Sequence, residues 1–543
     1  YKVKDTDKKI RLQETKELLT LLKKYPLKIA VDFGGGSATT DLEETSKTIQ
    51  ETETKALREL FRLATNKETE NSINNKTLEH LNSSSPVQNE EKIEEIEKLF
   101  DHSIAVNAYD SICEFLYQWG DFVRKNKDCY QSNKEKLDSL KKQAEEHIEG
   151  IIKSRRSGYD WLEKSRGKSD ILGMLDKIWQ YEENKKPVNY FKGTERKRCG
   201  RFIVQFNPER GTKRAPGIPI HSVEPEEGGF KYTRVAKRRA PLSQTRLQIL
   251  MGIPVDIFNQ PKPFTRGHML LLLYMWQERK QFLDIDAVKV ALYLSKKMPY
   301  KDHLKIGFNS WGAYGSVNHL HLQAIFYEDV SEKTEEIFGN SSEMPIETFE
   351  TQIIQNLGNS TTLSVLEDYP VKTLVVEGED IEYLAYLIME TVKLLQQENI
   401  AHNLIFTRTR KEKLKVYIIP RKFQTSQPSK FGMGVAFFEL GGEIIALVKD
   451  EEQKRKVIDE EENEARKKEL EGLIPYESIK KENIISELRE VSLEEEEFRQ
   501  LIEKIKATLL CSLVRKYQRK EIELNEDDLN KLCLLYTSPS PRD

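Results

Sequence analysis

The chain has 543 residues, room for roughly two to four domains, and its 38% hydrophobic and 32% charged residues suit a soluble globular protein with charged surface segments. Eighty-six Lys and Arg against 89 Asp and Glu leave a net charge of −3, which gives no general attraction to nucleic acid or to a membrane. Five cysteines without a C-x-x-C pair form neither a disulfide framework nor a thiolate zinc site and fit a reducing, cytoplasmic setting, and the longest apolar run, near residues 268–276, is too short to span a bilayer.

Both ends read as unusual. The chain begins at Tyr1 rather than Met, which leaves room for a targeting segment ahead of it, and residues 535–543 read as a translated cloning scar. Residues 1–165 are expected to form a largely helical N-terminal extension, with a strand over 27–33 closed by Gly34, Gly35 and Gly36. That turn lacks the G-K-[ST] of a P-loop and reads as structural. Asn, Ser, Thr and Glu dominate residues 65–92, a polar linker that includes Pro86. Helical patterning returns over 93–185, with Phe115, Trp119 and Phe122 on one face.

Near Lys197 the texture turns to short β-rich runs, at 201–206, 230–235 and 268–273. A helix at 286–296, a strand at 319–326 and a polar, loop-like stretch at 327–360 follow. A second set of strands is expected at 371–376, 402–407, 414–419 and 434–438, with an amphipathic helix at 381–397 and an exposed charged helix over 449–471. This order implies an α+β fold with largely antiparallel sheet.

The segment that carries chemistry is Gly307-Phe-Asn-Ser-Trp-Gly-Ala-Tyr-Gly-Ser-Val-Asn-His-Leu-His-Leu-Gln323. Asn309, Ser310, Gly312, Gly315, Ser316 and Asn318 are small or amide residues that let a backbone approach phosphate oxygens closely. His319, His321 and Gln323 then alternate, so on a strand all three face one side. A neutral imidazole attacks phosphorus when a hydrogen bond to its other nitrogen fixes the tautomer, and the middle histidine is best placed for that. A zinc site and a solvated face are alternative readings of H-x-H alone. Arg210, Lys213 and Arg214 form a basic cluster suited either to a diphosphate or to solvent.

That segment resembles the active-site segment of the GDP-L-galactose and GDP-D-glucose phosphorylases, a branch of the histidine-triad superfamily that also contains galactose-1-phosphate uridylyltransferase. Residues 206–216, with Asn207, Arg210, Lys213 and Arg214, are similar to the family's Asn-x-x-Arg and basic stretch, and 230–235 to its following strand. Asn259, Pro263, Gly267 and His268 resemble its N…P…G-H segment. The runs beginning at Tyr369, His402 and Ile419, and the helix near 490–498, resemble later elements, so the likeness runs from about 170 to 506. Two departures stand out: the spacing from Asn259 to Pro263 differs by one residue, and Trp311 replaces a smaller apolar residue.

The resemblance implies histidine-triad-like antiparallel sheets with packed helices in two related halves, a catalytic half over 166–345 and a C-terminal half over 346–510, with a tail at 511–543. It implies a guanylyltransferase in which His321 attacks the α-phosphorus of a GDP-hexose and inorganic phosphate then displaces a guanylyl-histidine. His319 and Gln323 would assist, and Gln323 favours phosphate over water as acceptor. Asn309, Ser310, Gly312, Ser316, Asn318, Asn207, Arg210, Lys213, Arg214 and His268 would bind substrate or phosphate. No metal or other cofactor is implied, nor a nucleic acid or membrane partner; a homodimer is compatible. Ascorbate synthesis and clean-up of a misformed nucleotide sugar are the two metabolic settings. A dinucleoside polyphosphate phosphorylase, a nucleotide-sugar hydrolase and a non-catalytic nucleotide-sugar sensor are the alternatives.

Overall fold

Two antiparallel five-stranded arrays of the same design meet edge to edge in one ten-stranded sheet. The structure is a computed structural model, and it describes residues 86–165, 194–207, 231–233, 247–260, 263, 265, 267–298, 304–327, 343–424, 430–432 and 434–519. The described residues from Glu94 onward form one compact unit. The strand expected at 27–33, the basic cluster Arg210, Lys213 and Arg214, and the tail from 520 lie outside the described residues.

Strands β1 (Glu195–Cys199) and β2 (Phe202–Phe206) pair antiparallel, and β2 takes β13 (Glu443–Ala446) on its other side in parallel. In the large sheet the first half runs β3 (Leu247–Leu250), β4 (Ile253–Asn259), β5 (Met269–Leu273), β7 (His321–Phe326), β6 (Leu304–Asn309). The second half repeats that order as β8 (Thr351–Gly358), β9 (Thr361–Leu366), β10 (Leu374–Gly378), β12 (Leu414–Arg421), β11 (Ala401–Arg408). Each half places one helix between its third and fourth strands in sequence, Ile285–Lys297 in the first and Ile381–Gln397 in the second. Both helices start on an aspartate whose carboxylate accepts a backbone N–H of the first turn, Asp284 from Ala287 and Asp380 from Tyr383. The halves join through β6 and β11, in the register Phe308↔Leu404.

Burial follows the alternation of each strand. One face of the sheet packs against these two helices and Glu495–Gln518, with Phe308, Leu322, Leu404 and Ile418 in a shared core. The other face, with Ile325, Ile405, Tyr417 and Ile419, packs against β2, β13 and the segment that follows β13. Before the sheets, helix Tyr109–Lys125 buries Phe115 and Phe122 as its spacing predicts, and Trp119 donates its indole N–H to the Leu137 carbonyl. The Tyr109 hydroxyl donates to buried Asp256 of β4 at 2.6 Å, which ties this helix to the first half of the sheet.

Several local expectations change. The polar stretch ends earlier than expected, because helix Pro86–Val106 starts at Pro86, whose missing N–H is harmless in a first turn. The loop-like 327–360 holds β8, and the strand expected over 434–438 gives way to the short helix Phe437–Leu440. Residues 231–233, expected within a strand, are not in one, and the helix expected over 449–471 is two, Glu451–Asp459 and Glu464–Glu471.

Candidate active site

The histidines lie where the ladder between β6 and β7 opens. Pairing runs from Leu304↔Phe326 to Gly307↔Gln323 and stops, and residues 310–320 form the loop between the two strands. Gly312 holds a left-handed φ of 70°, and a Cβ there would run into the Phe423 ring. A Cβ on Gly315 would lie 2.8 Å from the carbonyl oxygens of Asn309 and Ser310. Only glycine allows the loop to fold this tightly at these two points.

His321 is the first residue of β7, and its ring is buried. Its Nδ1–H donates to the His319 carbonyl at 2.8 Å, and since a carbonyl oxygen only accepts, the tautomer is set. The lone pair is therefore on Nε2. Burial pushes the pKa of His321 down to about 4, so the ring is neutral near pH 7. His319 differs from the expectation: the strand begins after it, so it does not share a strand face with His321 and Gln323. Its ring is buried, Nδ1 accepts the Tyr232 backbone N–H at 3.2 Å, and its orienting group toward His321 is the main-chain carbonyl. Burial, then the Lys231 and His321 charges, push its pKa down to about 3. The Tyr232 ring stands edge-on to His321, with centroids 5.2 Å apart.

Gln323 and His268 form a unit. His268 Nε2–H donates to Gln323 Oε1 at 2.9 Å, which leaves the Gln323 amide hydrogens for another acceptor. His268 directly precedes β5, beside which β7 pairs, and it is fully buried. Asn207, at the end of β2, is buried and donates to the Pro263 carbonyl at 3.5 Å.

The loop polar groups expected to hold phosphate or ribose are largely engaged by the protein. Asn309 Oδ1 accepts from Asn403 Nδ2 at 2.7 Å and from the Phe437 N–H at 2.9 Å. Ser310 Oγ accepts the His402 N–H at 2.8 Å and donates to the Trp311 carbonyl. Asn318 Oδ1 accepts the Gln281 N–H, and its carbonyl accepts from Lys231 Nζ at 3.1 Å. Ser316 is exposed. Trp311 is buried under the half-exposed ring of Phe282, with centroids 4.4 Å apart.

Sequence reading missed Tyr232, Lys231 and Asn403. Tyr232 and Lys231 sit in a segment read as an ordinary strand, and nothing in a sequence announces that Asn403 lies opposite Asn309 across β6 and β11. Buried Arg421 serves the same corner, donating to Gln424 Oε1 at 2.9 Å and to the Val435 carbonyl. Among the described residues no three His, Cys, Asp or Glu side chains converge in a way that would hold a metal ion. No described helix is long and apolar enough to cross a membrane.

A doubled antiparallel sheet with packed helices, whose first half opens around a buried, neutral histidine, defines the class as an α+β fold. Two family models match the chain: GDPGP1-like, N-terminal domain, over residues 174–325, and GDPGP1-like, C-terminal domain, over 345–462. These matches place residues 174–325 and 345–462 in the GDPGP1-like family. The chain is 25% identical over 319 residues to GDP-L-galactose phosphorylase 2 of Arabidopsis thaliana, covering 55% of this chain and 66% of that protein. It is 26% identical over 221 residues to GDP-D-glucose phosphorylase 1 of Homo sapiens, covering 38% and 52%. The chain thus spans 51% to 66% of the length of the first curated relatives it matches. A solved structure, yeast Ap4A phosphorylase Apa2 in complex with Ap4A, aligns with a TM-score of 0.33 and 13% identity over 52% of this chain and 91% of that one.

Proposed function

We propose that the protein is a GDP-hexose phosphorylase that works through a guanylyl-histidine on His321. The observation that carries the reading is the His321 Nδ1–H bond to the His319 carbonyl, which leaves Nε2 unprotonated in a buried ring. In the first step Nε2 attacks the α-phosphorus, a P–N bond forms, and the Pα–O bond to the β-phosphate breaks. Hexose 1-phosphate leaves. In the second step an oxygen of inorganic phosphate attacks the same phosphorus, the P–N bond breaks, and GDP leaves with His321 restored as a neutral imidazole. Charge on the phosphoryl oxygens grows in each step, and preorganised donors are the usual source of rate there. Gln323 supplies one such donor, with its amide turned by His268. Lys231 is placed to offer a cation near the same loop.

The partners are then a GDP-hexose and inorganic phosphate, in a cytoplasmic setting, with no metal taking part. Arg210, Lys213 and Arg214 are assigned by family likeness to the diphosphate or the incoming phosphate. The test is product analysis with GDP-L-galactose, GDP-D-glucose and GDP-D-mannose, each with and without phosphate, beside His321→Asn. Phosphate-dependent GDP release that the variant loses supports the reading, and the preferred hexose chooses between ascorbate synthesis and nucleotide-sugar clean-up. Release without phosphate would make the protein a hydrolase, and equal turnover by the variant would remove His321 from the chemistry.

A further inference from the structure

Gln281 has no part in the scheme above, yet its side chain touches the nucleophile on both sides of its backbone. It lies fully buried in the loop between the short turn Met275–Gln277 and helix Ile285–Lys297. Its Oε1 accepts the His321 N–H at 2.9 Å, and its Nε2 donates to the His321 carbonyl at 3.1 Å and to the Asn309 carbonyl at 3.1 Å. Its own N–H donates to Asn318 Oδ1 at 3.0 Å. The β6–β7 register, carried two residues past Gly307↔Gln323, would set Asn309 directly opposite His321. The strands are not paired there, and the Gln281 amide bridges them, offering one acceptor and one donor group as a peptide unit does.

We propose that Gln281 is a positioning residue for the nucleophile: its side-chain amide replaces a rung of the β6–β7 ladder and holds His321 at the opened end of the sheet. A buried strand end without such a bridge leaves an N–H and two carbonyls unsatisfied. The bridge also sets the spacing of the His321 and His319 backbones on which the ring hydrogen bond depends. A glutamate at this place fills nearly the same volume but its carboxylate only accepts, so it keeps the bond from the His321 N–H and opposes both carbonyls. The consequence for turnover rests on the phosphorylase reading, while the consequence for the ring tautomer does not.

The experiment compares the full chain with Gln281→Glu and Gln281→Met. Three quantities are read: kcat and KM for phosphate-dependent GDP release, melting by circular dichroism, and the ¹⁵N shifts of labelled histidine, with the His321 signal identified by its loss in His321→Asn. In the unaltered chain the His321 shifts are those of an Nδ1–H imidazole. In the folded variants they move toward a mixture of tautomers, and kcat falls on the order of 100-fold, as small misplacements of a reacting group do. KM stays within roughly threefold, since binding groups elsewhere are untouched. A folded variant that keeps both the tautomer and kcat overturns the proposal, as does a loss confined to melting temperature. Should the unaltered chain turn over none of the sugars, the phosphorylase reading fails and the tautomer comparison still decides the role of Gln281. The methionine variant, of similar volume and without polar hydrogens, decides it if the glutamate variant does not fold.

Discussion

The two halves of the large sheet share strand order, crossover helix and aspartate cap, yet only one carries the candidate chemistry. The difference sits in one connection. In the second half β11 and β12 pair along eight residues, from Ala401↔Arg421 to Arg408↔Leu414, and a tight turn over 409–413 closes them. In the first half β6 and β7 pair over four, and the longer loop 310–320 fills the opening. On the face where β7 presents His321, Gln323 and Ile325, β12 presents Tyr417 and Ile419 to the core. A long turn with glycines where backbones crowd converts a packed strand pair into a site, and the unopened half keeps the frame rigid. The candidate site is an interrupted ladder.

The sharpest way to break this comparison is to alter one position in each half. His321→Asn is expected to lower phosphate-dependent GDP release on the order of 10⁴-fold or more while the protein keeps its fold, as losses of a covalent nucleophile do. Ile419→Val on the corresponding face of β12 is expected to leave turnover of the folded protein alone and to cost about 0.5–1.5 kcal/mol of stability in denaturant melts. A large rate loss from the valine variant would mean that the second half takes part in chemistry.

Within the opened half the contributions are graded. Gln323→Ala removes the donor proposed for the phosphoryl oxygens, and a fall of roughly 10²–10³-fold in kcat is expected. His268→Asn, which only turns that donor, is expected to lose less, on the order of 10-fold, with the two substitutions far from additive because both act through one amide. Steady-state kinetics of the double variant checks this, and additive losses would separate His268 from Gln323. The seam between the halves is the next smaller case. Asn403 donates to Asn309 Oδ1 at 2.7 Å and to the Ala313 carbonyl at 2.9 Å, all of it buried. Asn403→Ala removes the Asn403 donor from the Ala313 carbonyl and from Asn309 Oδ1, which keeps the Phe437 N–H, for an expected loss of about 1–3 kcal/mol and a melting point lower by several degrees.

Much of this frame was legible from residues alone. The helix at Ile381–Gln397 announced itself by its amphipathic period, and the Gly307–Gln323 segment by its small residues followed by alternating polar groups. The hairpin β3–β4 was hidden because its turn, Met251-Gly252, has positive φ at both residues without the asparagine that usually marks such a turn. β8 was read as loop because it is an edge strand with register shifts and a mostly polar face. The strand expected over 434–438 failed for a long-range reason: Phe437 gives its N–H to Asn309, and Glu439 accepts the Ala436 N–H, so a short helix starts there. The same limit applies to the site. His321 and Gln323 lie two residues apart in sequence, whereas His268 comes to Gln323, Tyr232 to His321 and Asn403 to Asn309 only through the fold.

The smallest expected effect concerns a pair of histidines, one in each half, with the same local bond. His321 donates Nδ1–H to the carbonyl two residues before it, and His402 does so to Ile400 at 2.9 Å. Burial pushes both pKa values down to about 4 from an ordinary value of 6.5. The folded chain therefore binds fewer protons than the unfolded chain as pH falls through 6.5. Stability is full above that value, declines between about 6.5 and about 4, and levels once the folded rings protonate. In the second half this is the whole effect: His402→Leu is expected to flatten part of the melting-temperature decline between pH 6.5 and 4 relative to the unaltered chain. In the first half the same shift also reaches the rate. Guanylyl transfer to His321, followed in a single turnover without phosphate so that phosphate ionisation plays no part, is expected to hold constant from pH 8 to about 5.5 and to fall toward pH 4. A fall centred near 6.5 would mean a solvated histidine, and the opened end of the ladder would then be a surface rather than a buried site.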